Sequence, residues 1–141
     1  MSDEIKVVYV DEPGDAEWGA VGGGISAFNK EHGGDNSSQS LCIVLREPGE
    51  KIIGGVIGST YYDWLHVDLM WIKEEFRGQG YGSKLLGLAE QEGAKRGARN
   101  AFLDTFSFQA PDFYKKLGYR VFGALEDFPE GHTRYFMTKS L

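Results

Sequence analysis

The sequence contains one cysteine, three histidines and four prolines among its 141 residues. A single cysteine allows no internal disulfide, which is typical of proteins from a reducing cytoplasm. This residue, Cys42, lies in the apolar run at residues 41–45, so we predict a buried structural thiol rather than a nucleophile. No metal site is predicted.

Long hydrophobic runs are also missing. No stretch approaches the roughly 20 apolar residues that a membrane-spanning helix needs. The first four residues are acidic and lack the apolar core of a signal peptide. The sequence therefore predicts a cytoplasmic protein with no membrane partner.

Basic residues are outnumbered, with 15 Lys and Arg against 21 Asp and Glu, and the formal net charge is −6. Surfaces that bind nucleic acid are usually basic, so no nucleic-acid partner is predicted. An acidic protein is compatible with a cationic substrate such as an amine. The length and the 41% hydrophobic content predict one globular domain over residues 1–141.

Runs of alternating or continuous apolar residues bounded by Gly, Pro and Asp predict a series of short strands. They cover residues 5–10, 40–46, 51–62, 64–73, 101–106, 119–123 and 133–139. Apolar spacing predicts helices over residues 15–31, after Gly82, and over residues 110–116. The glycines at 22–24 predict that the first helix is broken or mobile. Gly54, Gly55 and Gly58 predict a bulge or a close backbone contact in their strand.

The most informative stretch is Arg77-Gly78-Gln79-Gly80-Tyr81-Gly82, between a predicted strand and a predicted helix. Glycines allow a tight turn and a close approach of ligand to backbone N–H groups. The start of the following helix has unpaired N–H groups and a positive dipole end. Together with Arg77, this stretch predicts a phosphate-binding site.

Other phosphate loops fit this stretch less well. A Walker loop requires Lys and then Ser or Thr after its last glycine, whereas here Ser83 precedes Lys84. A dinucleotide-binding fingerprint requires a further glycine where Ser83 or Leu85 stands. A purely structural strand–turn–helix corner remains an alternative.

The pattern Arg-x-x-Gly-x-Gly resembles the acyl-CoA loop of the GNAT N-acetyltransferase superfamily. A second stretch, Phe113-Tyr114 followed by Gly118-Tyr119, resembles the family's short helix after a splayed strand. The order of elements over residues 40–123 also matches. The longer string through residues 127–132 is similar to that of small bacterial acetyltransferases.

The resemblance implies an α+β fold with a mixed, mostly antiparallel sheet of six or seven strands, splayed central parallel strands and flanking helices. It also implies acetyl-CoA as cosubstrate, and two-chain assemblies are common among similar proteins. The residues implied to bind acetyl-CoA are Met70, Ile72, Arg77, Gly78, Gln79, Gly80, Tyr81, Gly82, Ser83, Gln109 and Phe113. Family members often carry Asn where Gln109 stands.

Three residues are predicted to carry the chemistry. The resemblance implies that Tyr114 protonates the departing CoA thiolate, because a tyrosine with a pKa of about 10 keeps its proton at neutral pH. His66 and Asp68 alternate along the strand that enters the glycine turn, and both are candidates for the base that activates the amine. His66 is the favoured one, as the base or its relay, because an intrinsic pKa of about 6.5 suits this role better. His132 is a further candidate that could reach the site.

The predicted function is transfer of an acetyl group from acetyl-CoA to a primary amine by direct attack in a ternary complex. Two alternatives stay open: a non-catalytic acyl-CoA sensor, and a structural domain or binder of another phosphate ligand. The acceptor is also open among polyamines, aminoglycoside-like drugs, peptide N-termini and protein lysines.

Overall fold

The computed structural model describes residues 4–141, which fall into two compact units divided between Asn36 and Ser37. The first unit contains one helix, α1, at Asp15–Gly33. The strand predicted at residues 5–10 is wrong, because these residues have no regular secondary structure. A strand needs a partner for its backbone groups, and no described strand pairs with this segment.

Helix α1 is continuous, so the break predicted at residues 22–24 is also wrong. The Glu17 carboxylate accepts a hydrogen bond from the Gly14 N–H at the start of the helix. At its end, the Gly34 N–H donates to the Lys30 carbonyl. Helix formation is cooperative, so a 19-residue helix with a hydrogen bond at each end tolerates the glycines at 22–24, each of which costs about 1 kcal/mol.

The second unit is a six-stranded sheet with helices, which confirms the predicted fold class. Its strands are β1 (Gln39–Arg46), β2 (Ile52–Tyr61), β3 (Trp64–Ile72), β4 (Asn100–Phe106), β5 (Arg120–Glu126) and β6 (Thr133–Ser140). Helix α2 (Tyr81–Lys95) connects β3 to β4, and α3 (Pro111–Lys116) follows β4. The strand order is β1-β2-β3-β4-β6-β5, and only β3 and β4 are parallel. Among residues 4–141, no helix is both long enough and apolar enough to cross a membrane.

The core lies between α2 and one face of the sheet. Leu86 and Ala89 of α2 are fully buried, and Gly93 lies so close to Leu65 that an added Cβ would touch its side chain. Burying one leucine contributes about 1.5–3 kcal/mol, so this face holds α2 against β3. Cys42 points to the opposite face and is exposed, so the predicted buried thiol is wrong.

The parallel strands β3 and β4 pair only at their beginnings. Residues 64–66 pair with residues 100–102, and the two strands separate beyond Phe102. This is the predicted splay. The second half of β3 therefore has backbone groups on its β4 side that no strand covers.

A β-bulge in β3 falls on Asp68. Ile57 of β2 is opposite Leu69, and Gly58 is opposite Val67, so Asp68 is the extra residue. A bulge shifts the alternation of side chains by one position. As a result, Val67 packs in the core and Met70 packs against it, while Leu69 faces away from α2.

Gly58 makes this bulge in the neighbouring strand possible, and the close backbone contact predicted at Gly58 is confirmed. A Cβ at this position would collide with the backbone carbonyl oxygen of His66. We expect Gly58→Ala to lower the free energy of unfolding by about 1–3 kcal/mol, the usual cost of overpacking. Urea denaturation measures this loss.

Gly123→Ala is the matched control, because Gly123 also lies in a strand and an added Cβ would meet nothing within 4 Å. Equal stability of the two variants would show that the bulge does not require glycine.

Candidate active site

The separation of β3 and β4 opens a cleft of about 930 Å³. Its walls come from the second half of β3, the glycine turn, the end of β4, the start of α3, and β6. Most of the residues predicted to bind acetyl-CoA line this cleft. They are Met70, Ile72, Arg77, Gly78, Gly80, Tyr81, Gly82, Ser83, Gln109 and Phe113.

The glycine turn forms the end of the cleft at the start of α2. Gly80 is the residue before the helix and has a φ of 87°, a backbone angle that residues other than glycine rarely adopt. Arg77 donates from Nε to the Ile72 carbonyl at 2.7 Å, which ties the turn to the end of β3. The first N–H groups of α2 have no partner within the helix, so the turn has the geometry of an anion site.

Gln79 is the one predicted acetyl-CoA residue that does not line the cleft. Its amide nitrogen donates to the Glu75 carbonyl at 3.3 Å and closes the turn. Gln109 does line the cleft, but its side-chain oxygen accepts from the Phe106 N–H at 2.8 Å and from the Thr105 hydroxyl at 3.3 Å. Its amide nitrogen has no partner among residues 4–141.

Tyr114 lines the cleft from α3. Its hydroxyl makes no hydrogen bond to another residue of the described chain. Burial, and to a smaller extent the Asp104 carboxylate, raises the pKa of Tyr114 above its ordinary value of 10.0. The hydroxyl therefore keeps its proton at neutral pH.

Two carboxylates line the cleft, and they differ in whether a basic side chain pairs with them. Asp104 forms an ion pair with Arg134, whose Nη2 lies 2.9 Å from Oδ1 and whose Nε donates to the same oxygen at 3.0 Å. Asp68, the bulge residue, has no side-chain partner within residues 4–141. Asp68 is exposed, so its carboxylate is open to solvent in the cleft.

The base candidates occupy different places. Asp68 lines the cleft, whereas His66 does not; its ring stacks on Phe102 at 4.4 Å, where β3 and β4 are still paired. His132 contacts Ser107 and the ring of Phe108, and it is not part of the lining either. The structure thus brings Asp68 and Tyr114 together in one cleft without His66.

Several residues that line the cleft were not predicted as site residues from the sequence. Among them are Trp71, Phe106, Phe108 and Arg134. Asp104 also lines the cleft, and it offered a signal because it is the one charged residue of its strand. Arg134 offered none, because the register of β4 with β6 places it opposite Phe106 from 28 positions further along the chain.

Comparison with known proteins identifies the family. The acetyltransferase (GNAT) family profile matches residues 11–119. The chain belongs to the GNAT acetyltransferase family. As an acetyltransferase of this family, it is an enzyme that transfers an acetyl group to an amine.

Individual relatives agree with this assignment. Blasticidin-S acetyltransferase of Streptomyces morookaense is 40% identical over 96 residues, covering 67% of this chain and 70% of the relative. Acetyltransferase Atu2258 of Agrobacterium fabrum is 34% identical over 113 residues, covering 80% and 82%. The 1.9 Å crystal structure of an acetyltransferase from Bacillus cereus superposes with a TM-score of 0.86 at 36% identity, covering 95% and 98% of the two chains.

Proposed function

We propose that this GNAT protein binds acetyl-CoA in the cleft and acetylates a cationic primary amine by direct attack in a ternary complex. The observation that carries the proposal is a single cleft that joins the glycine turn, the protonated Tyr114 and the unpaired Asp68 carboxylate. These are an anion site, a proton donor and a binding group for a cation.

The pyrophosphate of acetyl-CoA would bind at the N–H groups of residues 78–83, with the Arg77 guanidinium beside it. The rest of the cofactor would extend between β3 and β4 along the backbone of Met70 and Ile72. Backbone N–H groups on this open side of β3 would polarise the thioester carbonyl. Gln109 and Phe113 would line the end of this channel.

In the reaction, the bound ammonium ion first loses one proton to solvent. The neutral amine nitrogen then attacks the thioester carbonyl carbon, and the carbon–sulfur bond breaks. Tyr114 donates its proton to the departing thiolate. Because a free thiol has a pKa of about 8.5, below that of Tyr114, full transfer is uphill by about 2 kcal/mol or more. The proton that the amine releases, passed through water near Asp68, restores Tyr114 and completes the step.

We assign the amine-binding and proton-relay role to Asp68 rather than to His66, because only Asp68 lines the cleft. The acceptor is proposed to be a cationic amine of the kind found in antibiotics, since one relative is named for blasticidin S. The proposal includes a cytoplasmic location. It also includes a homodimer, and light scattering on the purified protein tests this oligomeric state.

An amine screen tests the function. Purified protein with acetyl-CoA is incubated with blasticidin S, polyamines, aminoglycosides and peptides, and thiol release is measured. We expect thiol release with at least one cationic amine. The second candidate, a non-catalytic sensor, predicts acetyl-CoA binding by calorimetry without thiol release, and absence of both would overturn the acetyl-CoA proposal.

The raised pKa of Tyr114 predicts the pH dependence of turnover. The acceptor must lose a proton before attack, so kcat/KM should rise between about pH 6 and pH 9. Tyr114 acts in its protonated form, and its pKa lies above the ordinary value, so kcat should not fall before about pH 10. A fall in kcat centred between about pH 8 and pH 9 would mean that another group donates the proton.

A further inference from the structure

We infer that the acceptor site selects amines that carry a flat ring, with the ring placed against Phe108 and the ammonium group held by Asp68. The inference rests on the proposed function and names the acceptor class for that same site. The acceptor side is the sheet face opposite α2, to which Leu69, Trp71 and Phe106 belong.

The first observation is a stacked aromatic pair at the end of β4. The rings of Phe106 and Phe108 lie 5.2 Å apart at an angle of 9°. Both line the cleft, and Phe108 is 55% exposed. The exposed part of the Phe108 ring is available to a flat ligand ring, in the offset or edge-to-face arrangements that aromatic pairs prefer.

The second observation is that this pair is held in place before any ligand binds. The Arg134 guanidinium lies 5.3 Å from the centre of the Phe106 ring and 5.1 Å from that of Phe128. The same guanidinium is fixed by Asp104. The ring of His132 also makes a T-shaped contact with Phe108, with the ring centres 5.0 Å apart. A preorganised surface reduces the entropy that binding costs.

The third observation concerns charge. Arg134 neutralises Asp104, so Asp68 is the carboxylate of the cleft that remains for an ammonium ion. Across the cleft, Trp71 of β3 is 53% exposed and gives a second aromatic wall. The acceptor side thus combines one negative charge with aromatic walls, which fits a cationic amine bearing a planar ring.

A matched pair of amines tests the inference. 2-Phenylethylamine and 2-cyclohexylethylamine carry the same amine on the same linker, but only the first has a flat ring. With acetyl-CoA saturating, we expect kcat/KM to be about fivefold or more higher for 2-phenylethylamine, the lower end of the effect of one stacking contact. Phe108→Leu should remove most of this preference and leave acetyl-CoA affinity unchanged.

Phe122→Leu is the control variant, since Phe122 is 57% exposed and does not line the cleft. It should keep the preference. Asp68→Asn should raise the KM of both amines by a similar factor and also keep the preference. This pattern separates ring recognition from charge recognition.

Equal kcat/KM for the two amines, a preference that survives in Phe108→Leu, or turnover of other amines but of neither of these, would overturn the inference. Failure of the proposed function gives a different result, namely no thiol release with any amine of the screen. The two failures are therefore distinguishable.

Discussion

A Tyr114→Phe variant is expected to fold and to bind acetyl-CoA like the wild type while its turnover number falls about 100-fold or more. The ring remains, so its packing against Phe113 and Tyr119 is kept. The lost hydroxyl is the proton donor for the thiolate in the proposed reaction. Because product release could hide part of the loss, single-turnover kinetics is the measurement of choice.

Tyr119→Phe is a control of the same chemical size five positions further along. The Tyr119 hydroxyl donates to Glu90 at 2.8 Å, and Lys139 pairs with the same carboxylate at 2.9 Å. Removing this hydroxyl should lower the free energy of unfolding by about 1.5–3 kcal/mol. Turnover should stay near that of the wild type. A wild-type single-turnover rate in Tyr114→Phe would show that its hydroxyl is dispensable.

Gly80→Val is expected to weaken acetyl-CoA binding by at least about 100-fold, because two or more charge-assisted hydrogen bonds to the pyrophosphate would be lost. No neighbouring atom fills the space where a Cβ would lie, so that space is available to a ligand. A branched side chain there would occupy it and hold the phosphate away from the N–H groups. Isothermal titration calorimetry measures the affinity.

The φ of 87° at Gly80 also makes a side chain costly there, by about 1–2 kcal/mol. Gly97→Val carries the same strain, because Gly97 has a φ of 96° and lies near the other end of α2 with open space around it. Similar melting temperatures but a loss of affinity only in Gly80→Val would assign the effect to the site. Unchanged affinity in a folded Gly80→Val protein would contradict the phosphate site.

The parts of the fold that could be predicted are those in which neighbouring residues act together. The hairpin of β1 and β2, the glycine turn before α2, and the helix that joins two parallel strands all follow from local spacing. The close backbone contact at Gly58 could also be predicted, since a glycine inside a strand marks a close backbone approach.

Two of the errors fall where an outcome depends on a distant partner. Residues 5–10 have the composition of a strand, yet no described strand pairs with them. Cys42 lies in an apolar run, yet the register places it on the sheet face opposite α2. Apolar content alone does not say which face of a strand a helix will cover.

The acetyl-CoA half of the candidate site could be predicted from two short sequence motifs. In the first of them, the groups that would hold a phosphate lie within six consecutive residues and act through their own backbone. The acceptor half is a product of tertiary structure. A one-residue bulge determines the position of Asp68, and the pairing of β4 with β6 brings Arg134 to Asp104 and Phe106. Strand register is chosen by the burial of a whole sheet face, and no local pattern in the chain contains that information.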